Sequence, residues 1–191
     1  ILRQRSSLAF DEGVLEEAVI PLCAALAAQE HGDARRALDL LRIAGEIAER
    51  ENSEKVQELH VLKAKNKMEL DTVSEAIRTL PTQSKMVLMC IVTNVERGTE
   101  KLTTGDVYET YKEMSRILGM GPLTQRRITD LISELDMMGI IHARVRSFGR
   151  GGRTKEIDLS VPLAETKKVL EEDDVFVSLK HYKQRNQTTL M

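Results

Sequence analysis

Gly139-Ile140-Ile141-His142-Ala143-Arg144-Val145-Arg146 is the stretch at which the chain changes period. Upstream of it, Ile128, Leu131, Ile132, Leu135 and Met138 recur every three or four positions, the inward face of a helix. Beyond Gly139, Ile141, Ala143 and Val145 alternate with His142, Arg144 and Arg146, the pattern of a half-buried strand. Gly149-Arg150-Gly151-Gly152-Arg153 turns the chain, and Ile157, Leu159 and Val161 alternate with Glu156, Asp158 and Ser160 on a return strand. Towards the N-terminus, Gly119-Met120-Gly121-Pro122 reads as a turn. Before it comes a helix that Thr103 or Thr104 can cap, with Val107, Tyr108, Tyr111 and Leu118 inward. Val87, Leu88, Ile91, Val92 and Val95 mark an earlier, strongly amphipathic helix ending near Arg97-Gly98. Three helices followed by a two-stranded hairpin is the winged-helix order, a variant of the helix-turn-helix.

On either side the pattern stays helical. Asp71 can cap a short helix containing Val73, Ile77 and Leu80, which Pro81 closes, and Pro162 opens a last helix through Leu170. The first third is helical throughout: Val14, Leu15, Ala18, Val19, Leu22, Cys23 and Leu26 share one face, with a kink or helix boundary expected at Pro21. After the break at His31-Gly32, Asp33 can cap a second helix with two apolar stripes, Ala37-Leu38-Leu41-Ala44-Ala48 and Leu40-Ile43-Ile47, so that helix is buried between neighbours. Val56 to Leu70 continues the helical character more weakly. The boundary between the two halves is expected around Asn66 to Asp71. The expected fold is therefore mainly α: a helical domain over 1–66, a winged-helix domain over 67–176 with a small β-hairpin wing, and a tail over 177–191.

Composition narrows the function. The 191 residues are 41% hydrophobic and 30% charged, enough for packed cores, but only 3% are aromatic, so the cores must be aliphatic and Met-containing. No apolar run approaches a membrane span. Cys23 and Cys90 lie in apolar helical patterns without Cys or His neighbours at ligand spacing, as expected of buried thiols in a reducing cytosol rather than a disulfide. The start at Ile1 is neither an initiator Met nor a signal peptide and reads as the middle of a longer protein. Net charge is -2 but unevenly spread: residues 1–66 hold 9 basic and 12 acidic side chains, residues 116–155 hold 8 basic and 3 acidic.

That basic segment carries the first candidate site. With Ile128 at the buried centre of its helix, Arg126, Thr129, Asp130 and Ser133 fall on the opposite side, flanked by Gln125 and Arg127. The N-terminal half of this helix enters the major groove in helix-turn-helix proteins, where Arg and Gln read guanine and adenine edges. A solvated helix face would look similar. The hairpin separates the two readings, because Arg144, Arg146, Arg150, Arg153 and Lys155 occur with no acidic residue between His142 and Lys155. Clustered like charges repel, so a merely solvated hairpin would mix signs. Gly151-Gly152 lets the tip backbone approach a phosphate without a Cβ in the way. Duplex DNA is the expected ligand of helix and wing together.

The second candidate is Gly32-Asp33-Ala34-Arg35-Arg36-Ala37-Leu38. Two arginines in a first helical turn face the positive end of the dipole, an unfavourable place unless they pair with nearby glutamates or meet an anion there. Enzymatic constellations are lacking: there is no Gly-x-x-x-x-Gly-Lys-Ser/Thr loop, no His pair at zinc spacing and no evident Ser-His-Asp or Cys-His arrangement. The chain is not expected to be an enzyme by itself.

The run Gly32-Asp33-Ala34-Arg35-Arg36-Ala37-Leu38-Asp39, within Leu26 to Leu41, closely resembles the sensor-2 region of archaeal Orc/Cdc-type replication initiators, which are origin-binding AAA+ ATPases. Leu80-Pro81 and Gly149-Arg150-Gly151-Gly152-Arg153-Thr154 resemble the winged-helix domain of the same family, and the likeness extends to about Phe176. The resemblance implies that residues 1–66 are an AAA+ lid and that the nucleotide-binding core with its Walker motifs lies before Ile1. It implies that Arg35, and less certainly Arg36, reaches the γ-phosphate of ATP on that core, so that ATP/ADP and Mg would bind only with the core present. It also implies origin DNA, the replicative helicase and other initiator subunits as partners, a cytoplasmic, nucleoid-associated location, and no membrane. The alternatives are a winged-helix transcription regulator with a helical dimerisation region, and a protein-interaction module.

Overall fold

Residues 1–29, 32–147 and 153–180 are described by the computed structural model, in which the chain divides between Thr72 and Val73 into two units. The first is built from helices α1 (Leu2–Ala9), α2 (Val19–Gln29), α3 (Ala34–Arg50) and the start of α4 (Glu58–Thr79). Its core gathers Val19 and Cys23 from α2, Leu41, Ala44 and Ala48 of one predicted stripe of α3, Leu40, Ile43 and the partly buried Ile47 of the other, and Val56, Val61 and Ala64. The Asp33 carboxylate caps α3 by accepting from the Arg35 N–H at 2.8 Å. Gly32, at φ +72°, donates its N–H back to the Ala27 carbonyl at 3.0 Å, a left-handed reversal suited to glycine at the end of α2.

Three expectations for this half are corrected. Val14 and Leu15 are not helical: Val56 donates to the Val14 carbonyl at 2.8 Å and accepts from the Glu16 N–H at 3.1 Å, forming a parallel bridge between Leu15 and Val56. Those backbone groups are committed to a partner distant in sequence, so α2 starts only at Val19, two residues before Pro21. For the same reason Val56 lies before α4 rather than in it. Finally, Asp71 caps nothing. Residues 58–79 contain neither Gly nor Pro, so nothing ends the helix, and α4 runs unbroken past it.

The second unit holds α5 (Thr82–Glu96), β1 (Leu102–Thr103), α6 (Thr104–Ile117), α7 (Gln125–Met137), β2 (Ile141–Ser147), β3 (Arg153–Leu159) and α8 (Leu163–Glu171), then a 3-10 turn and the short α9 (Val177–Lys180). Thr103 closes a capping box with Asp106 at the start of α6, as its sequence suggests. The sheet is antiparallel in the order β1-β3-β2. β1 was not anticipated; with two residues it is too short to show an alternation.

Rather than being amphipathic, α5 is buried on all sides, with Ser84 and every residue from Met86 to Asn94 inside. Packing against α6, α7, α8 and the sheet leaves it no solvated face. Its buried Asn94 is paired: the side-chain amide donates to Thr110 Oγ1 at 2.9 Å and to the Cys90 carbonyl at 2.8 Å. Met138 belongs to the cap of α7 and is 59% exposed, not inward. Packing also continues past Phe176, since Leu179 of α9 joins the core.

An ion pair fastens the end of this unit to α5. Lys85 Nζ lies 2.7 Å from Asp173 Oδ2, with both side chains largely shielded. That hydrogen bond, with a second from the Val175 N–H, holds the Asp173 carboxyl below the usual carboxylate range. A depressed carboxyl contributes stability above its unfolded pKa, about 3.9, and loses it as pH falls through the lower folded value. Asp173→Asn should therefore lower the hydrogen-exchange protection of α5 in this unit at pH 7, and the gap from wild type should close towards pH 3 in parallel measurements.

Candidate nucleic-acid interface

The α7 helix starts at Thr124, whose hydroxyl accepts from the Arg127 N–H at 3.3 Å. Ile128, Leu131, Ile132 and Leu135 anchor it in the core and leave Gln125, Arg126 and Arg127 exposed on its first turn, as predicted. Arg126 has no ion-pair partner among the described residues. Arg127 does: its guanidinium lies 3.2 Å from Glu134 two turns on, so it is drawn along the helix rather than outward. Thr129 is half-buried and donates to the Gln125 carbonyl at 3.0 Å.

Gly139, at φ +70°, turns the chain from α7 into the hairpin. Its N–H bonds the Asp136 carbonyl at 2.9 Å while that of Ile140 reaches Leu135 at 3.1 Å. Asp136 then accepts from the Ala143 N–H on edge strand β2 at 3.0 Å, and Lys155 Nζ of β3 donates to Ser133 Oγ of α7 at 2.6 Å. Helix and hairpin are thus tied at both strands, through a backbone N–H of β2 and a side chain of β3.

The register sorts the wing cations onto two faces. Ala143 lies opposite Ile157, Val145 opposite Lys155 and Ser147 opposite Arg153. Beyond the buried Ile157, this row carries Lys155 and Arg153 and no carboxylate. The other row pairs His142 with Asp158, Arg144 with Glu156 and Arg146 with Thr154. There the Arg146 guanidinium is hydrogen-bonded to Glu156. The expectation of five cations without a counter-charge is corrected: no acid lies between them in sequence, but antiparallel pairing brings Glu156 among them. Arg150, Gly151 and Gly152 lie outside the described residues.

In the first unit Arg35 is exposed at the start of α3 and Arg36 is half-buried. The Asp33 carboxylate already occupies the Arg35 N–H. The cap leaves the exposed Arg35 guanidinium as the group an anion at this helix end would meet. Among the described residues no cluster could hold a metal ion, and no helix is long and apolar enough to cross a membrane.

Comparison with known proteins places both halves. The family model described as the Cdc6 AAA+ ATPase-type lid domain matches residues 1–66, and that of the CDC6 C-terminal winged helix domain matches residues 75–169. The chain belongs to the Orc1/Cdc6 family. ORC1-type DNA replication protein 1 of Methanosarcina mazei is 60% identical over 175 residues, covering 91% of this chain and 42% of that protein. The ORC1-type protein of Pyrococcus furiosus is 60% identical over 173 residues, 91% of this chain and 41% of its own length. The solved Aeropyrum pernix ORC1 protein in complex with DNA superposes with a TM-score of 0.76 at 50% identity, over 94% of this chain and 47% of that one. The chain thus spans less than half the length of these Orc1/Cdc6 relatives.

Within this Orc1/Cdc6 wing, sequence reading missed Ser133 and Asp136 as ties and Glu156 as a counter-charge. Counting back from the hairpin tip would have set Glu156 opposite Arg144. The Ser133 contact has no sequence signal, since a serine on a polar helix face is ordinary.

Proposed function

We propose that this chain is the lid and DNA-gripping part of a replication initiator that recognises origin duplex. The α7 helix would lie in the major groove with Gln125 and Arg126 at base edges, and the hairpin would follow phosphates through Arg153 and Lys155. One observation carries this reading: the exposed first turn of α7 and the cationic hairpin are joined through Lys155 and Ser133, so they can act on one ligand as a unit. The likeness to a protein solved in complex with DNA, at 50% identity, supports it over the reading as a transcription regulator.

Titration of a labelled duplex against the chain at increasing salt tests the proposal. Affinity should fall steeply, since each phosphate contact contributes close to one unit of log-log slope. Arg126→Ala should relax discrimination at one or two base positions by about 1–3 kcal/mol and leave the slope nearly unchanged. A flat salt response would instead favour a protein-binding module.

The lid has a separate part in the same reading. Arg35, exposed and free of an ion-pair partner among the described residues, suits contact with the γ-phosphate of ATP held with Mg by a core domain; Arg36 is a weaker candidate. The nucleotide would supply a charge that sets the orientation of the lid, and recruitment of helicase and other initiator subunits belongs to the whole protein. In the full-length protein Arg35→Ala should largely preserve nucleotide binding and slow hydrolysis roughly tenfold or more. Unchanged turnover would remove the assignment.

A further inference from the structure

The outer row of the wing binds its own arginine. Glu156 lies directly opposite Arg144 and is ion-paired with Arg146, and its side chain is 19% exposed against 61% for that of Arg146. Asp158, opposite His142, adds a second acid to that row. A phosphate approaching it meets an arginine whose Nε–H and charge are already engaged by a carboxylate, and that carboxylate repels it. The opposite row, with Arg153 and Lys155, has no such acid. Resting on the DNA-binding reading above, we propose that Glu156 is a specificity-determining residue that sequesters Arg146 from the phosphate backbone and so limits the sequence-independent part of binding.

The consequence is physical. Phosphate contacts strengthen binding to every duplex alike, whereas base contacts discriminate between them. An internal carboxylate on the wing weakens the first kind without touching the second, leaving α7 a larger share of the total. It also makes the two wing faces unequal, with the Arg153 and Lys155 face as the stronger phosphate contact.

A double-mutant cycle on the 191-residue chain separates this from a general charge effect. Glu156→Gln keeps the shape of the side chain and frees Arg146. It should tighten binding to a duplex of arbitrary sequence by about threefold to tenfold at 0.1 M salt and steepen the salt slope by roughly one unit. Arg146→Ala alone should cost less than about twofold, but in the Glu156→Gln background it should erase the gain. Equal costs of Arg146→Ala in both backgrounds, or no gain from Glu156→Gln, would overturn the proposal. Failure of the wild-type chain to bind any duplex would instead overturn the DNA-binding reading beneath it.

Discussion

Ile91→Ala is expected to destabilise the winged-helix unit by about 3 kcal/mol. Ile91 sits near the middle of α5, which is buried on all sides, and it is fully excluded from solvent. Removing its branched end forfeits transfer free energy and leaves a void that neighbours refill only in part. The cost should stay below the top of the usual range because the same core holds Met86, Met89 and Met114, unbranched side chains able to swing into a gap. Hydrogen exchange read peptide by peptide is the suitable measurement, since a chain with two units has no single unfolding free energy. Protection of the most stable α5 and α7 amides should fall by roughly a hundredfold. Ile91→Val should cost about 1 kcal/mol. Protection unchanged in Ile91→Ala would mean that α5 is not the centre of this core.

Reversing the charge of both Arg153 and Lys155 to glutamate should weaken duplex binding by about a hundredfold at 0.1 M salt and flatten the salt slope by about two units. Both belong to the wing row that has no carboxylate, so their charge is available to phosphates. Lys155 also donates to Ser133, whose own proton goes to the Thr129 carbonyl, so a glutamate there gives up that tie but leaves the Ala143–Asp136 bond between hairpin and α7 in place. Helical circular dichroism should therefore match wild type, which separates lost contact from lost fold. Anisotropy titrations at several salt concentrations make the test. A loss smaller than about threefold would place the wing outside the interface and leave α7 to bind without it.

What the sequence determined by itself was periodicity and punctuation. The switch at Gly139 from a helical to a two-residue repeat, the caps at Asp33 and Thr103, and the breaks at Pro81 and Gly119 are local, because backbone geometry and capping act within a few residues. They suffice for a helical first half, three further helices and a wing, and for the candidate positions Arg35, Gln125 and Arg126. The Gly-Asp-Ala-Arg-Arg run added the family resemblance, which the lid and winged-helix matches bear out.

Tertiary structure decided what depends on partners far along the chain. Val56 withholds Val14 and Leu15 from a helix, and α5 becomes an all-round core helix because α6, α7 and α8 surround it. Above all, antiparallel register sets Glu156 among the wing arginines and divides those cations between two faces. Charge counted along a chain cannot report this, because electrostatic energy depends on separation in space, and a hairpin brings residues ten positions apart into contact.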